Sequence, residues 1–361
     1  MGDSKATSRL HSLERRFIQN QELQSLYTEF INEYIELNHM EKIEDKSEIQ
    51  NIKYFVPHHA IIKPSSTTTK LRVVFDASAK TTTKTSLNDT LMVGATVQED
   101  LASIILRFRK HRYVFTADIE KMYRQVNVNN EHTYFQCILW RDSIHKPIEH
   151  YKLKTAADPF LATRTLKQLA IDESHRFPKT SKAALSDFYV DDILSGANSV
   201  NDVISLQKEL TAMLNAGGMH LRKWCSNCPE LLKNIPQCDL ELVPTNDDNS
   251  ANSTIKTLGI IWNPSTDNLS FKIHKKLNLP PFTKRKVISD IASLFDPLGL
   301  LSPVIVKAKM FMQTLWSTKV DWDTPLSNGL QNYWSSYSEM LEDVRILETK
   351  RCMLSTNMKS V

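Results

Sequence analysis

The sequence predicts an α+β protein, and three observations point there. Apolar residues recur at three-and-four spacing in segments such as 8–40 and 203–214, the period of an amphipathic helix. Short runs rich in β-branched and aromatic residues, such as Leu71 to Phe75, Tyr113 to Ala117 and Tyr134 to Trp140, lie between such segments and read as strands. Helices interleaved with antiparallel hairpins, rather than single strands alternating with helices, indicate α+β. With 361 residues, 41% of them hydrophobic, the chain is long enough for about two to three domains.

In order along the chain, Leu10, Leu13 and Phe17, then Leu23, Tyr27, Ile31 and Ile35, predict a packing helix or pair of helices over residues 8 to 40. The charged stretch 41 to 51 reads as a connector. Tyr54 to Lys63 and Leu71 to Phe75 read as two strands, with the polar run Pro64 to Thr69 as the loop or hairpin tip between them. Leu101, Ile104, Ile105 and Phe108 mark an amphipathic helix. It ends in Arg107, Arg109 and Lys110, and cations suit a helix C-terminus. Tyr113 to Ala117 is then a short buried strand that ends at Asp118. Phe160 to Asp172 reads as helix, and Ala183 to Ser195 as a hairpin with Asp191 and Asp192 near its turn. Val203, Leu206, Leu210, Met213 and Leu214 make a further helix, stopped by Gly217-Gly218. The Asn- and Asp-rich stretch 244–253 reads as a surface loop. Val287 to Leu294 reads as helix, followed by a bend around Pro297 and Pro303.

Composition narrows the chemistry. The chain has 45 basic and 41 acidic residues, a net charge of +4, so nucleic acid would have to be met by a local basic groove rather than by the overall charge. Five cysteines, an odd number, argue for a reducing compartment rather than a disulfide scaffold. The first 30 residues hold no apolar signal-peptide core, and no run approaches the roughly 18 apolar residues of a membrane span. Met1-Gly2 opens like a myristoylation site, but the sixth residue is Ala6. These features predict an intracellular protein without a membrane partner. With only 8 glycines, the chain lacks both G-x-G-x-x-G and G-x-x-x-x-G-K. A triphosphate would then have to be held by carboxylate-bound metals and basic side chains.

The residues for such chemistry are present. Two-metal phosphoryl transfer needs carboxylates from separate elements that converge around ions about 3.5 to 4 Å apart. Thr116-Ala117-Asp118-Ile119-Glu120-Lys121-Met122-Tyr123 offers one aspartate at a strand end, and Phe188-Tyr189-Val190-Asp191-Asp192 offers a pair at a hairpin turn. Mg²⁺ suits one or two carboxylates plus substrate phosphates. An Asp pair in a hairpin is commonly plain turn chemistry. The aromatic pair before it and the upstream Asp118 set this one apart. Cys225-Ser226-Asn227-Cys228 has zinc-like spacing without a second pair, since only Cys238 and His220 lie near in sequence, and structural zinc takes four ligands. His58-His59 reads as strand-end packing.

Tyr-x-Asp-Asp is the motif of reverse transcriptases, and the surrounding residues resemble the BEL/Pao branch of long-terminal-repeat retrotransposons. Matching stretches include Pro57-His58-His59-Ala60, Leu71 to Ser78, Ser86-Leu87-Asn88-Asp89, Asp118 to Gln125 and Phe160-Leu161-Ala162. Phe188 to Asp192, Leu221 to Asn227, Thr257-Leu258-Gly259 and Phe295-Asp296-Pro297-Leu298-Gly299 continue the order, from residue 8 to about 325.

The resemblance implies a right-hand polymerase with an antiparallel palm sheet. Its expected parts are an N-terminal helical segment (1–50), fingers with the start of the palm (51–117), palm (118–265) and a truncated thumb or connection-like segment (266–361). It implies RNA-directed DNA synthesis with two Mg²⁺ or Mn²⁺ ions on Asp118, Asp191 and Asp192, of which Asp118 and Asp191 would be the primary ligands. The partners would be an RNA or DNA template-primer and deoxynucleoside triphosphates, in the cytoplasm or a virus-like particle. Lys63 and Arg72 match positions that grip the triphosphate, Tyr123 the residue that excludes a 2′-OH, and Lys223 a lysine near the leaving pyrophosphate. Tyr189 would meet nucleic acid, and Leu258-Gly259 resembles the hairpin that supports the primer. The chain departs from the family in one place. Ala156-Ala157-Asp158 alone separates Thr155 from Pro159, where relatives carry a longer, glycine-containing segment close to the template. The alternatives this leaves are a nucleic-acid-binding relative without catalysis and a decayed remnant of the element. The stretch after Pro280 is shorter than an RNase H domain needs, so the sequence also reads as a piece of a polyprotein.

Overall fold

A computed structural model describes residues 3–62, 71–92, 94–155, 159–241, 254–270, 279–344 and 347–354. The predicted hairpin tip Pro64 to Thr69, Lys63, the short segment Ala156 to Asp158 and the loop 244–253 lie outside these. In chain order the elements begin with α1 (Asp3–Gln19), α2 (Gln21–Glu36), β1 (Met40–Lys42), β2 (His58–Ile62), β3 (Leu71–Phe75) and α3 (Leu87–Thr90). Then come α4 (Leu101–Lys110), β4 (Tyr113–Ile119), α5 (Asn130–Thr133), β5 (Cys137–Trp140), β6 (Glu149–Leu153), α6 (Pro159–Asp172) and α7 (Pro178–Ser186). After these run β7 (Phe188–Tyr189), β8 (Asp192–Ala197), α8 (Val200–Ala216), β9 (Leu221–Ser226) and α9 (Pro229–Leu232). The last are β10 (Ile255–Thr257), β11 (Ile260–Asn263), β12 (Asn268–Ser270), α10 (Lys284–Ala292), α11 (Ser302–Ser317), α12 (Asn328–Asp343) and β13 (Glu348–Lys350).

The mixed α+β expectation holds, with several antiparallel sheets. Local signals set many of the boundaries. Asn20 breaks the first helical stretch in two, because its side chain accepts from the Leu23 N–H and caps α2. Asp100 caps α4 in the same way through Ser103. Gly217 closes α8. Elsewhere the structure differs from the sequence-based expectation. The stretch 41–51 includes the end of β1, which adds to β6, and the 3-10 turn Glu48–Asn51. Tyr54 to Pro57 is not a strand, since Phe55 makes only an isolated parallel bridge to Cys137. Ala183 to Ser186 is the end of α7, a helix started by Pro178 in its first turn. Pro303 likewise sits in the first turn of α11 rather than in a bend.

The chain divides into two compact units, Met1–Val97 with Lys121–Thr165, and Gln98–Glu120 with Leu166–Val361. In the first unit, α1 and α2 contribute to the core that also includes β2, the sheet β1-β6-β5 and the pair β2-β3. Its centre is aromatic. Tyr27 stacks on Trp140 at 5.4 Å between ring centroids, and Phe17 meets Trp140 edge-on at 6.2 Å. His58, 5% exposed, bridges this core. Its Nε2 donates to the Leu139 carbonyl at 2.9 Å, which leaves Nδ1 to accept from the Tyr27 hydroxyl at 2.6 Å. Burial holds the imidazole neutral and pushes its pKa down to about 4.

The second unit contains the sheet β7-β8-β4-β9 and the sheet β10-β11-β12-β13. Ile104, Ile105 and Phe108 of α4 pack with Val114, Leu194 and Trp262 into one core. A second core lies among α10, α11 and α12, centred on Trp334. The last strand is fastened by Arg351, which is fully buried. Its guanidinium makes a two-pronged pair with Asp267 at 2.6 and 2.8 Å. The same group donates to the carbonyls of Phe108, His111 and Arg112 at 2.6, 2.8 and 3.1 Å. A cation thus satisfies carbonyls that the C-terminal end of α4 leaves unpaired. The guanidinium also lies over the Phe108 ring.

The buried His58 and Arg351 can each be probed by substitution. Because His58 titrates near 6.5 when unfolded and near 4 when folded, the first unit keeps its full stability above about pH 6.5. It loses about 3 kcal/mol as pH falls from there toward 4. Urea titrations of wild type and His58→Phe at several pH values should give a steeper slope in that window for the former. Arg351→Ala takes the two-pronged partner from Asp267, leaving it the Trp262 indole N–H, and removes the donor to the Phe108 and His111 carbonyls. It should lower the stability of the second unit by about 3–5 kcal/mol in denaturant melts.

Candidate active site

Strand register brings the predicted carboxylates to one sheet. Pairing of β4 with β8 runs Thr116 opposite Leu194, Ala117 opposite Ile193 and Asp118 opposite Asp192. Tyr189 and Asp192 are the last pair of the β7–β8 hairpin, so Val190 and Asp191 form its two-residue turn. The Ile119 N–H donates to the Asp191 carbonyl at 2.8 Å, tying the turn to the end of β4. Like charges directly opposite each other destabilise a sheet. Burial, with the charges of Asp191 and Asp118 beside it, pushes the Asp192 carboxyl up to about 7.

The turn itself is strained. Val190 has φ 58°, whereas Asp191 is not among the residues of positive φ. This is the pattern of a turn whose first central position ordinarily holds glycine. A β-branched residue there is an outlier that costs about 1–3 kcal/mol.

A bulge supplies the cations. Between β4 and β9 the register shifts from Thr116 opposite Cys225 to Asp118 opposite Arg222, so Lys223 and Trp224 together face the single Ala117. Lys223 takes φ 53°, and such bulges re-aim side chains. Its Nζ donates to Asp118 Oδ2. Arg222 places Nε 3.4 Å from Asp118 Oδ1 and donates to Glu120 at 3.2 Å. Asp118 Oδ1 and Arg222 Nε are both buried yet make no hydrogen bond, because their contact is an ion pair without alignment. Glu241, whose N–H donates to the Trp224 carbonyl at 3.0 Å, adds another carboxyl. Its pKa is raised by burial, with Lys223 acting against that and Asp118 adding to it.

The fit to metal is partial. The donor chemistry suits Mg²⁺ or Mn²⁺, and Asp118 keeps one buried oxygen without a hydrogen bond. Among the described residues, however, no group of three or more His, Cys, Asp or Glu side chains is arranged to hold a metal ion. The Asp118 carboxylate is drawn to Lys223 and Arg222 instead.

The remaining predicted residues are distributed as follows. Asp118, Asp191, Asp192, Tyr189 and Lys223 share the sheet β7-β8-β4-β9 and its turn. Tyr189 is half-buried against the α4 core. Leu258 and Gly259 form the β10–β11 turn, with φ of 47° and 82°. A Cβ on Gly259 would collide with the Phe295 ring. Tyr123 lies in the 3-10 turn Met122–Gln125 of the first unit. Arg72 is exposed on β3 of that unit, opposite Ile61. Lys63 lies outside the described residues. Sequence reasoning missed Arg222 and Glu241, although Arg222 stands next to Lys223 in a motif already singled out. It also missed Gln98, whose Oε1 accepts from the Val190 N–H at 3.0 Å; no sequence signal marks that residue.

Comparison with known proteins adds a relationship at the level of fold. Residues 283–361 match a family model described as a Pao retrotransposon-like RNaseH-like domain. This covers most of the segment 266–361 predicted above as thumb or connection-like. Its described residues form α10, α11, α12 and β13. No curated protein matches the chain. Among solved structures it is similar to the foamy viral protease-reverse transcriptase in complex with RNA/DNA hybrid, at 13% identity with a TM-score of 0.57. That likeness covers 90% of this chain and 37% of the viral one, so this chain spans little more than a third of the viral protein's length. No helix among the described residues is long and apolar enough to cross a membrane.

Relief of the like-charge opposition gives a stability test. Asp192→Asn should raise the stability of the second unit by about 1–2 kcal/mol near neutral pH. Denaturant melts in the presence of a chelator would measure it.

The chain therefore has a mixed α+β fold related, at low identity, to a retroviral reverse transcriptase module, with a C-terminal segment matching a Pao retrotransposon-associated, RNaseH-like model.

Proposed function

We propose that this chain is the polymerase module of a retrotransposon, an RNA-directed DNA polymerase. The observation that carries the proposal is Asp118 opposite Asp192, beside the strained Asp191 turn. It occurs in a fold similar to that of an enzyme whose structure holds an RNA/DNA hybrid. In this reading 1–50 are an N-terminal helical segment, 51–117 fingers with the start of the palm, 118–265 palm, and 266–361 a thumb or connection-like segment. Asp118 and Asp191, with Asp192 beside them, would hold two divalent ions. The bound metals would stabilise the attacking and leaving oxygens of an in-line displacement.

The chain's own groups take the other roles. Lys223 supplies a movable point charge beside Asp118 that suits a departing pyrophosphate. Arg72 offers a fixed, forked charge for a triphosphate, and Lys63 a second cation. Tyr123 would present a flat ring that excludes a 2′-hydroxyl. Tyr189 would meet the nucleic acid. Leu258 and Gly259 would let the backbone approach the primer.

A second reading has its own support. Asp118 is already neutralised by Lys223 and Arg222, and the described carboxylates form no ready three-ligand group. A relative that binds template-primer without extending it would look like this.

Primer extension on RNA and DNA templates with Mg²⁺ or Mn²⁺ separates the two. On the polymerase reading wild type incorporates deoxynucleotides, and Asp191→Asn lowers the rate by more than about a hundredfold. Salt-dependent binding of template-primer without incorporation under either metal would favour the second reading. Incorporation that survives Asp191→Asn would refute the metal assignment.

A further inference from the structure

The hairpin that bears Asp191 and Asp192 is held at its base and at its tip by groups on or next to α4. At the base, the buried Asp187 accepts from Arg107 Nε at 3.1 Å, from Ser186 Oγ at 2.8 Å and from Ser195 Oγ at 2.6 Å. Arg107 also donates to the Ser186 carbonyl. At the tip, the Val190 N–H donates to Gln98 Oε1 at 3.0 Å. Gln98 lies two residues before Asp100, the N-cap of α4, whose carboxylate accepts from the Ser103 N–H and hydroxyl at 2.9 and 2.6 Å. Ile104, Ile105 and Phe108 are fully buried beneath it. The mount is therefore rigid.

The tip contact has a consequence that the base contact lacks. The sign of φ at Val190 depends on which way the Tyr189–Val190 peptide plane faces, and the N–H held by Gln98 belongs to that plane. Rotating the plane to relieve the left-handed Val190 would turn the N–H away from Gln98. A turn N–H outside the strand ladder is readily satisfied by water, so the bond is not needed to pair the group. Its effect is to select one conformation of the turn.

We propose that Gln98 is a positioning residue that holds the Val190–Asp191 turn in its strained form and so fixes where Asp191 and Asp192 present their carboxylates. Its consequence for catalysis rests on the polymerase reading above; its consequence for the turn does not.

The test is a double-mutant cycle of Gln98→Met, which keeps bulk and removes the acceptor, with Val190→Gly, which removes the penalty of positive φ. Hydrogen exchange of the full chain is followed at residues 188, 189 and 191–193, leaving out the residue-190 amide, whose acceptor is removed in either background. Gln98→Met should speed exchange there by about three- to tenfold in the wild-type background and change it little in the Val190→Gly background. The central strands should be unaffected in both. On template-primer, kcat should fall in the first background only, with KM for the deoxynucleotide less affected. Equal effects in the two backgrounds, or none in either, would overturn the proposal. If wild type extends no primer, the polymerase reading fails, while the exchange comparison still decides the role of Gln98.

Discussion

Two carboxylates face each other where β4 meets β8, and much of the surrounding structure answers that repulsion. Sheets ordinarily avoid like charges at directly opposed positions. Here Asp118 and Asp192 take such positions, with Asp191 next in the chain. The response is local and specific. A bulge in β9 turns Lys223 toward Asp118, and Arg222 bridges Asp118 to Glu120. Burial and neighbouring charge keep the Asp192 carboxyl poised near neutrality. Concentrated negative charge on rigid strands, offset by side chains that can move, is an arrangement that spends stability on a site.

Rigidity comes from α4. Its apolar face is buried in the core beneath the sheet, Arg107 grips the base of the aspartate hairpin, and Gln98 grips the tip. Its other end is closed by Arg351, whose guanidinium fills the last carbonyls of the helix while pairing with Asp267. The strand β13 is thus tied to the same helix that positions the carboxylates. The family match to residues 283–361 extends over this strap, so part of the matched segment belongs structurally to the second unit's sheet β10-β11-β12-β13 rather than standing apart from it.

Much of this was legible beforehand where the information is local. The glycine stop at Gly217 is contained within a few residues, as is the three-and-four spacing of α4 and α8. A bulge, a bridge and a buried arginine are not. Tyr54 to Pro57 has strand composition, but its neighbour offers only one bridge. Ala183 to Ser186 could extend a strand or a helix, and Pro178 upstream decided for helix.

From the sequence alone came the α+β class, the placement of Asp118 at the end of an apolar strand, and the Tyr189-Val190-Asp191-Asp192 turn as the site to examine. Hydrophobic period encodes the first two directly, while the turn stands out through its aromatic pair, the upstream Asp118 and its resemblance to the reverse-transcriptase motif. Tertiary structure decided that Asp118 stands opposite Asp192, that Lys223 and Arg222 reach it, that Gln98 holds the turn and that Arg351 clamps α4. Register and long-range hydrogen bonds depend on how distant segments pair. The side chains involved, a lone glutamine or arginine, carry no periodic signal of their own.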